Sequence, residues 1–151
     1  MTLMARKATV SAIDHVAVVV RDIRKARRFY RELGLKVSPV YTVGERYPGE
    51  QRGHVYYGCS LRFQSGRPSI WLMQPKGRCG PLAKFVRTRG EGLHHIGLLV
   101  RDVRKLCDKL SKKRIRLIRA PHDFTTDKEI RALIHPDESF HSLLELVQKT
   151  E

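Results

Sequence analysis

Between Ile13 and Val20 the chain runs IDHVAVVV, and between Leu93 and Val100 it runs LHHIGLLV. Both are apolar segments of strand length with a histidine near the start, and successive side chains of a strand point to opposite faces. After the first, Asp22 stands where an N-cap belongs. Ile23, Ala26, Tyr30 and Leu33 then follow helical spacing up to Gly34, which supplies the stop. After the second, Asp102 opens a matching helix through Val103, Leu106 and Leu110. Strands are predicted over Val55 to Phe63 and Ser69 to Met73, joined by the turn-rich Ser65-Gly66-Arg67-Pro68. Two more are predicted over Glu129 to Ile134 and Ser142 to Val147, on either side of His135-Pro136-Asp137-Glu138. A short helix is expected around Pro81 to Arg87. Residues 38 to 54, with Pro39, Pro48 and three glycines, read as a long loop of the kind that covers a site.

The two opening segments belong to an internal repeat. Ile13 to Lys25 lies over Leu93 to Lys105 at a constant offset of 80, so that His15 falls on His95 and RDIRK falls on RDVRK. The same offset carries Leu35-Lys36-Val37 onto Ile115-Arg116-Leu117. Each half therefore reads as a strand, a helix and three more strands. The expectation is a single α+β domain over residues 1–151, with module 1 at about 11–75, a basic linker at about 76–91 and module 2 at about 92–149.

The repeat separates the adjacent histidines of the second segment, since His95 aligns with His15 and His94 with Asp14. Ile13, His15, Ala17 and Val19 share one strand face, and so do Leu93, His95, Gly97 and Leu99. In both, a small residue two places beyond the histidine leaves room for a ligand. Val16, Val18 and Val20, like Ile96, Leu98 and Val100, are expected to cover the helices from the other face, and His94 is assigned to that helix side. In the last strand Glu145 stands among Leu143, Leu144, Leu146 and Val147. A carboxylate there is costly to bury unless it is paired or bound to a metal. Two neutral imidazoles and one carboxylate, His15, His95 and Glu145, make a ligand set that suits Fe(II), Mn, Co, Ni or Zn. His54, His122, His135 and His141 fall in predicted loops and turns and are read as surface residues.

Charge and cysteines narrow the setting. Thirty Lys and Arg against fifteen Asp and Glu give a formal charge of +15, which suits an anionic partner such as nucleic acid, an anionic membrane or a phosphorylated small molecule. The basic residues are scattered through every segment and no nucleic-acid reading module is visible, so nucleic acid ranks last. Cys59, Cys79 and Cys107 are odd in number, far apart and without a CxxC, and are expected to be reduced thiols of a cytoplasmic protein. The first residues lack the apolar core of a signal peptide, and the run Val16 to Val20 is far too short to cross a bilayer, so no membrane attachment is expected.

The segments IDHVAVVVRD, FYRELGL, GEGLHHIGLLVRDV and LIHPDESFHSLLELVQ together resemble the vicinal oxygen chelate superfamily of glyoxalases, bleomycin resistance proteins and extradiol dioxygenases. FVRTRGEGLHHIG and the HP-turn-LLEL ending are similar in particular to the methylmalonyl-CoA epimerases of that superfamily. The resemblance implies paired βαβββ modules forming a cupped mixed sheet around one divalent metal, held by His15, His95 and Glu145. The superfamily's fourth ligand position falls on Trp71, whose indole cannot ligate, and Gln74 points to the opposite face.

Three functions follow as expectations from the resemblance. The first is epimerase- or isomerase-type proton transfer on an acyl-CoA-like or other small oxygenated substrate, through a metal-stabilised enolate. Glu145 and either Glu45 or Glu50 would then be the bases, with Lys76, Arg78, Lys84 and Arg87 binding the phosphates of coenzyme A. The second is an Fe(II)-dependent oxygenase using the same three ligands, with Trp71 as a pocket wall. The third is a metal-free small-molecule binding or resistance protein with a cup lined by Trp71, Met73, Phe63 and Tyr57. A homodimer is implied by the resemblance alone.

Overall fold

The computed structural model describes residues 8–45, 54–121 and 126–150, with the side chains of Glu45 and His54 left aside. In chain order the elements are β1 (Val10–Val19), α1 (Ile23–Glu32), β2 (Lys36–Val37), β3 (Tyr41–Glu45), β4 (His54–Phe63), β5 (Gly66–Pro75), α2 (Pro81–Arg89), β6 (Gly92–Val100), α3 (Val103–Lys112), β7 (Leu117–Arg119), β8 (Glu129–Ile134) and β9 (Leu144–Lys149), with a 3-10 turn at Pro136–Ser139. The chain packs as two compact units. One runs from His15 to His95, and the other joins the described residues up to Asp14 with those from Ile96 onward. Among the described residues, no helix is long and apolar enough to cross a membrane.

In the unit from His15 to His95 the strand order is β2-β4-β5-β1, with β3 on β4. β1 and β5 are parallel and pair His15 with Ser69, Ala17 with Trp71 and Val19 with Met73. One face of this sheet is closed by α1, through Val20, Ile23, Cys59, Leu61 and Leu72 with Val18, Ala26 and Tyr30 against them. The other carries Ala17, Val19 and Met73 under Leu82, Phe85 and Val86 of α2. The alternation at the end of β1 thus sends Val18 to the α1 side and Ala17 and Val19 to the face shared with α2.

In the other unit the order is β6-β9-β8-β7. β6 and β9 are parallel and pair Gly97 with Glu145, and β8 runs antiparallel to β9 with Leu133 opposite Glu145. α3 covers one face through Val103, Leu106 and Cys107, packed with Val100, Ala132 and Leu146. Burial pushes the Cys107 thiol up to about 11, with the charge of Asp108 adding to the shift.

Both long helices start as their sequences predict. The Asp22 carboxylate accepts from the backbone N–H of Arg24 and of Lys25, and that of Asp102 from Lys105 N–H. A second cap comes from elsewhere in each module. Gln74 Oε1 accepts from Ile23 N–H at 2.8 Å, and Gln148 Oε1 from Val103 N–H at 2.9 Å. Gln74, next to last in β5, and Gln148, next to last in β9, therefore each satisfy a first-turn N–H that the helix cannot satisfy itself. At the far ends, Gly34 lies at φ 84° and Arg114, its repeat equivalent, at φ 60°.

One expectation is corrected. Tyr41 to Glu45, placed in a long loop, form β3, paired antiparallel with β4 so that Tyr41 faces Gly58. Tyr-Thr-Val is a strand-forming run that the flanking prolines and glycines concealed. A Cβ on Gly58 would come within 2.4 Å of the Tyr41 ring, so the missing side chain at Gly58 is what lets that aromatic lie down on β4.

Candidate metal centre

His15 is fully buried. Its ring lies on Trp71, centroids 3.6 Å apart and planes 7° from parallel. Trp71 reaches this place because it faces Ala17 across the β1–β5 ladder, two residues beyond His15 on the same strand face. Ala17 is small enough to leave the indole room, the space the sequence assigned to a ligand.

His15 Nε2 stands 3.0 Å from His95 Nε2, the two rings nearly perpendicular at 88°. His95 Nδ1 is in turn 2.9 Å from His94 Nδ1, and His94 packs edge to face on Phe85 of α2 at 5.0 Å. A neutral imidazole has one N–H and one lone pair. The three rings can therefore be joined in one direction, with His95 donating from one nitrogen and accepting at the other. The two histidines that the repeat makes equivalent thus meet at their Nε2 atoms within this unit.

The other unit holds Glu145, 3% exposed. Arg131 NH1 of β8 lies 3.5 Å from its Oε1. The guanidinium also donates through Nε and NH2 to Glu129, at 2.7 Å for the first, and Glu129 accepts from Lys149 as well. Lys149 Nζ is 3.6 Å from Asp14, which is 4% exposed. Asp14, Lys149, Glu129, Arg131 and Glu145 thus alternate in sign along one side of this unit. Burial alone would raise the Glu129 carboxyl, but hydrogen bonds and charge from Lys149 and Arg131 outweigh it and hold the group below the usual carboxylate range. None of Arg131, Glu129 and Lys149 was singled out from the sequence. The available signal is the alternation Glu129-Ile130-Arg131-Ala132, which gives β8 one charged face and one apolar face.

The remaining site residues are dispersed. Trp71 and Met73 share the face of His15, with Met73 buried under α2. Tyr57 pairs with Gln74 and packs on the α1 side, with the Lys76 ammonium 5.7 Å from its ring, and Phe63 lies beyond a register shift in β4, 39% exposed. The four do not form one wall; Ser60 and Gly58, the ladder partners of Trp71 and Met73, occupy the face that Tyr57 does not. Which residues of β4 share a face with Trp71 is set by the register of β4 against β5, which neither strand's own sequence records. Gln74 is a helix cap, as described above.

Lys76, Arg78, Lys84 and Arg87 are exposed within one segment, where Arg87 NH1 donates to the Arg78 carbonyl at 2.6 Å. Glu50 and His122 lie outside what is described, as do the side chains of Glu45 and His54; the backbone of Glu45 ends β3 and that of His54, expected in a loop, opens β4. His141 is exposed, and the half-buried His135 accepts from Asp137 N–H to cap the 3-10 turn.

Residues 14–132 match the profile of the glyoxalase/bleomycin resistance protein/dioxygenase superfamily, and the chain belongs to it. Its mixed α+β architecture is that of the vicinal oxygen chelate fold. It is 33% identical over 138 residues to the uncharacterized protein YqjC of Bacillus subtilis, covering 90% of this chain and 91% of that one. Human mitochondrial methylmalonyl-CoA epimerase is 30% identical over 139 residues, 90% of this chain and 73% of the human protein. The crystal structure of methylmalonyl-CoA epimerase from Mycobacterium tuberculosis superposes with a TM-score of 0.78 at 25% identity, covering 99% of this chain and 95% of the other.

Proposed function

We propose that the chain is a divalent-metal-dependent epimerase-type enzyme acting on a CoA thioester with an acidic α-proton, methylmalonyl-CoA being the compound named in its relatives. His15, His95 and Glu145 would hold the metal. The observation that carries this reading is the 3.0 Å approach of the two Nε2 atoms. Two nitrogens each about 2.1 Å from one cation and at right angles lie about 3.0 Å apart, whereas a tetrahedral pair stands about 3.4 Å apart. The spacing found lies close to both values, and the ligand set suits Co, Mn, Ni, Fe(II) or Zn. Register supports Glu145 as the third ligand: Gly97, two residues beyond His95, faces Glu145 as Ala17, two beyond His15, faces Trp71.

A metal bound there supplies Lewis acidity, stabilising negative charge that develops on the thioester and carboxylate oxygens as the α-proton leaves. The chain's own residues do the rest. His15 and His95 present Nε2 lone pairs, which requires their remaining protons on Nδ1; for His95 that proton can be donated to His94 Nδ1. Trp71 fixes the plane of the His15 ring. Glu145, with Glu45 or Glu50 from the other side of the substrate carbon, would take and return the proton. Lys76, Arg78, Lys84 and Arg87 would meet the coenzyme's phosphates.

The test is proton exchange. Co(II)-loaded protein in D2O should wash deuterium into the α-position of methylmalonyl-CoA, followed by NMR, and His15→Ala or Glu145→Gln should abolish it. Absence of exchange with Co, Mn and Ni would rule the reaction out. The Trp71–His15 stack favours a second reading, since it leaves three protein ligands rather than four: Fe(II)-dependent oxygenation. Oxygen uptake by anaerobically Fe(II)-loaded protein with an added catechol or 2-keto acid would support that reading instead.

A further inference from the structure

Arg131 is anchored before it meets Glu145. Its Nε and NH2 both donate to Glu129 Oε2, and this leaves NH1 facing Glu145 Oε1 at 3.5 Å. Glu129 is itself held by Lys149, which also pairs with Asp14, the residue before His15. The Arg131 and Glu145 side chains are 17% and 4% exposed. Exposed ion pairs orient little, but a buried carboxylate facing a fixed guanidinium has few other directions to take. We propose that Arg131 is a positioning residue for Glu145: gripped by Glu129, its planar fork sets the direction of the carboxylate before a cation arrives. This rests on Glu145 being a metal ligand, as proposed above. Lysine is a point charge on a flexible stem and cannot hold Glu129 through two nitrogens while turning a third to Glu145.

Calorimetric titration of the chelator-treated full chain with Co(II) alone tests it. Arg131→Met should bind Co(II) about 10- to 100-fold more weakly than the unaltered chain, the range for loss of a group that orients a ligand. Arg131→Lys should recover only a minor part of that loss. Glu129→Gln leaves Arg131 in place but loosens its anchor, and should weaken binding by roughly 3- to 10-fold. Equal or tighter binding by Arg131→Met would overturn the proposal, the tighter case making Arg131 a competitor of the cation. Full recovery by Arg131→Lys would also overturn it, showing that charge without the fork suffices. Should Arg131→Met lack the unaltered chain's circular dichroism, Glu129→Gln decides, and unchanged affinity there overturns the assignment. Glu145→Gln separates the two layers: if it binds Co(II) as the unaltered chain does, the ligand reading fails and the role of Arg131 falls with it. If only Glu145→Gln is weak, Arg131 alone is wrongly placed.

Discussion

Trp71 lies face to face with His15, ring centroids 3.6 Å apart, in the position that Glu145 holds in the other module. It is the chain's single tryptophan, so its emission reports on one imidazole. Adding Co(II) or Ni(II) to metal-free protein should quench that emission in a saturable way. His15→Ala should remove the saturable component while leaving the indole fluorescent. Quenching that is linear in metal and indifferent to His15→Ala would place the cation elsewhere.

The same equivalence predicts the effect of restoring a donor. Trp71→Glu supplies a carboxylate at the register place matching Glu145, and should tighten Co(II) binding by about tenfold, near 1.4 kcal/mol. Removing the indole from its stack should lower metal-free stability by about 2–4 kcal/mol. Thermal melts with and without Co(II) read both effects, and the metal-induced shift in Tm should be larger in the variant.

Gln74 and Gln148 each satisfy one buried end of a helix. Gln74→Ala and Gln148→Ala should each cost about 1 kcal/mol in urea unfolding. They share no partner, so the double variant should lose the sum. A glutamine serving the metal instead would change Co(II) affinity, which these substitutions should leave within twofold.

Glu129 makes stability depend on acid. Its carboxyl is held below its unfolded value of 4.5, so its contribution is complete above that pH and is lost as pH falls through the lower folded value. Glu129→Gln should be less stable than the unaltered chain by roughly 1–3 kcal/mol at pH 7. The difference should shrink below the unfolded value. A gap that is constant from pH 7 to pH 3 would mean that the charge is not what Glu129 contributes.

What the sequence determined is whatever depends on neighbours along the chain or on its own repetition. The apolar runs predicted β1 and β6, Asp22 and Asp102 marked the helix starts, and the duplication matched His15 with His95, the ring it meets. These were readable because strand alternation, helix spacing and capping act over a few residues. The tertiary structure alone decided which side chains share a face across strands. The register of β4 on β5 put Ser60 rather than Tyr57 beside Trp71, closure of each module turned Gln74 and Gln148 into helix caps, and pairing of β8 with β9 set Arg131 against Glu145. One residue of slip between two strands exchanges their faces, and no local pattern in either strand records that choice.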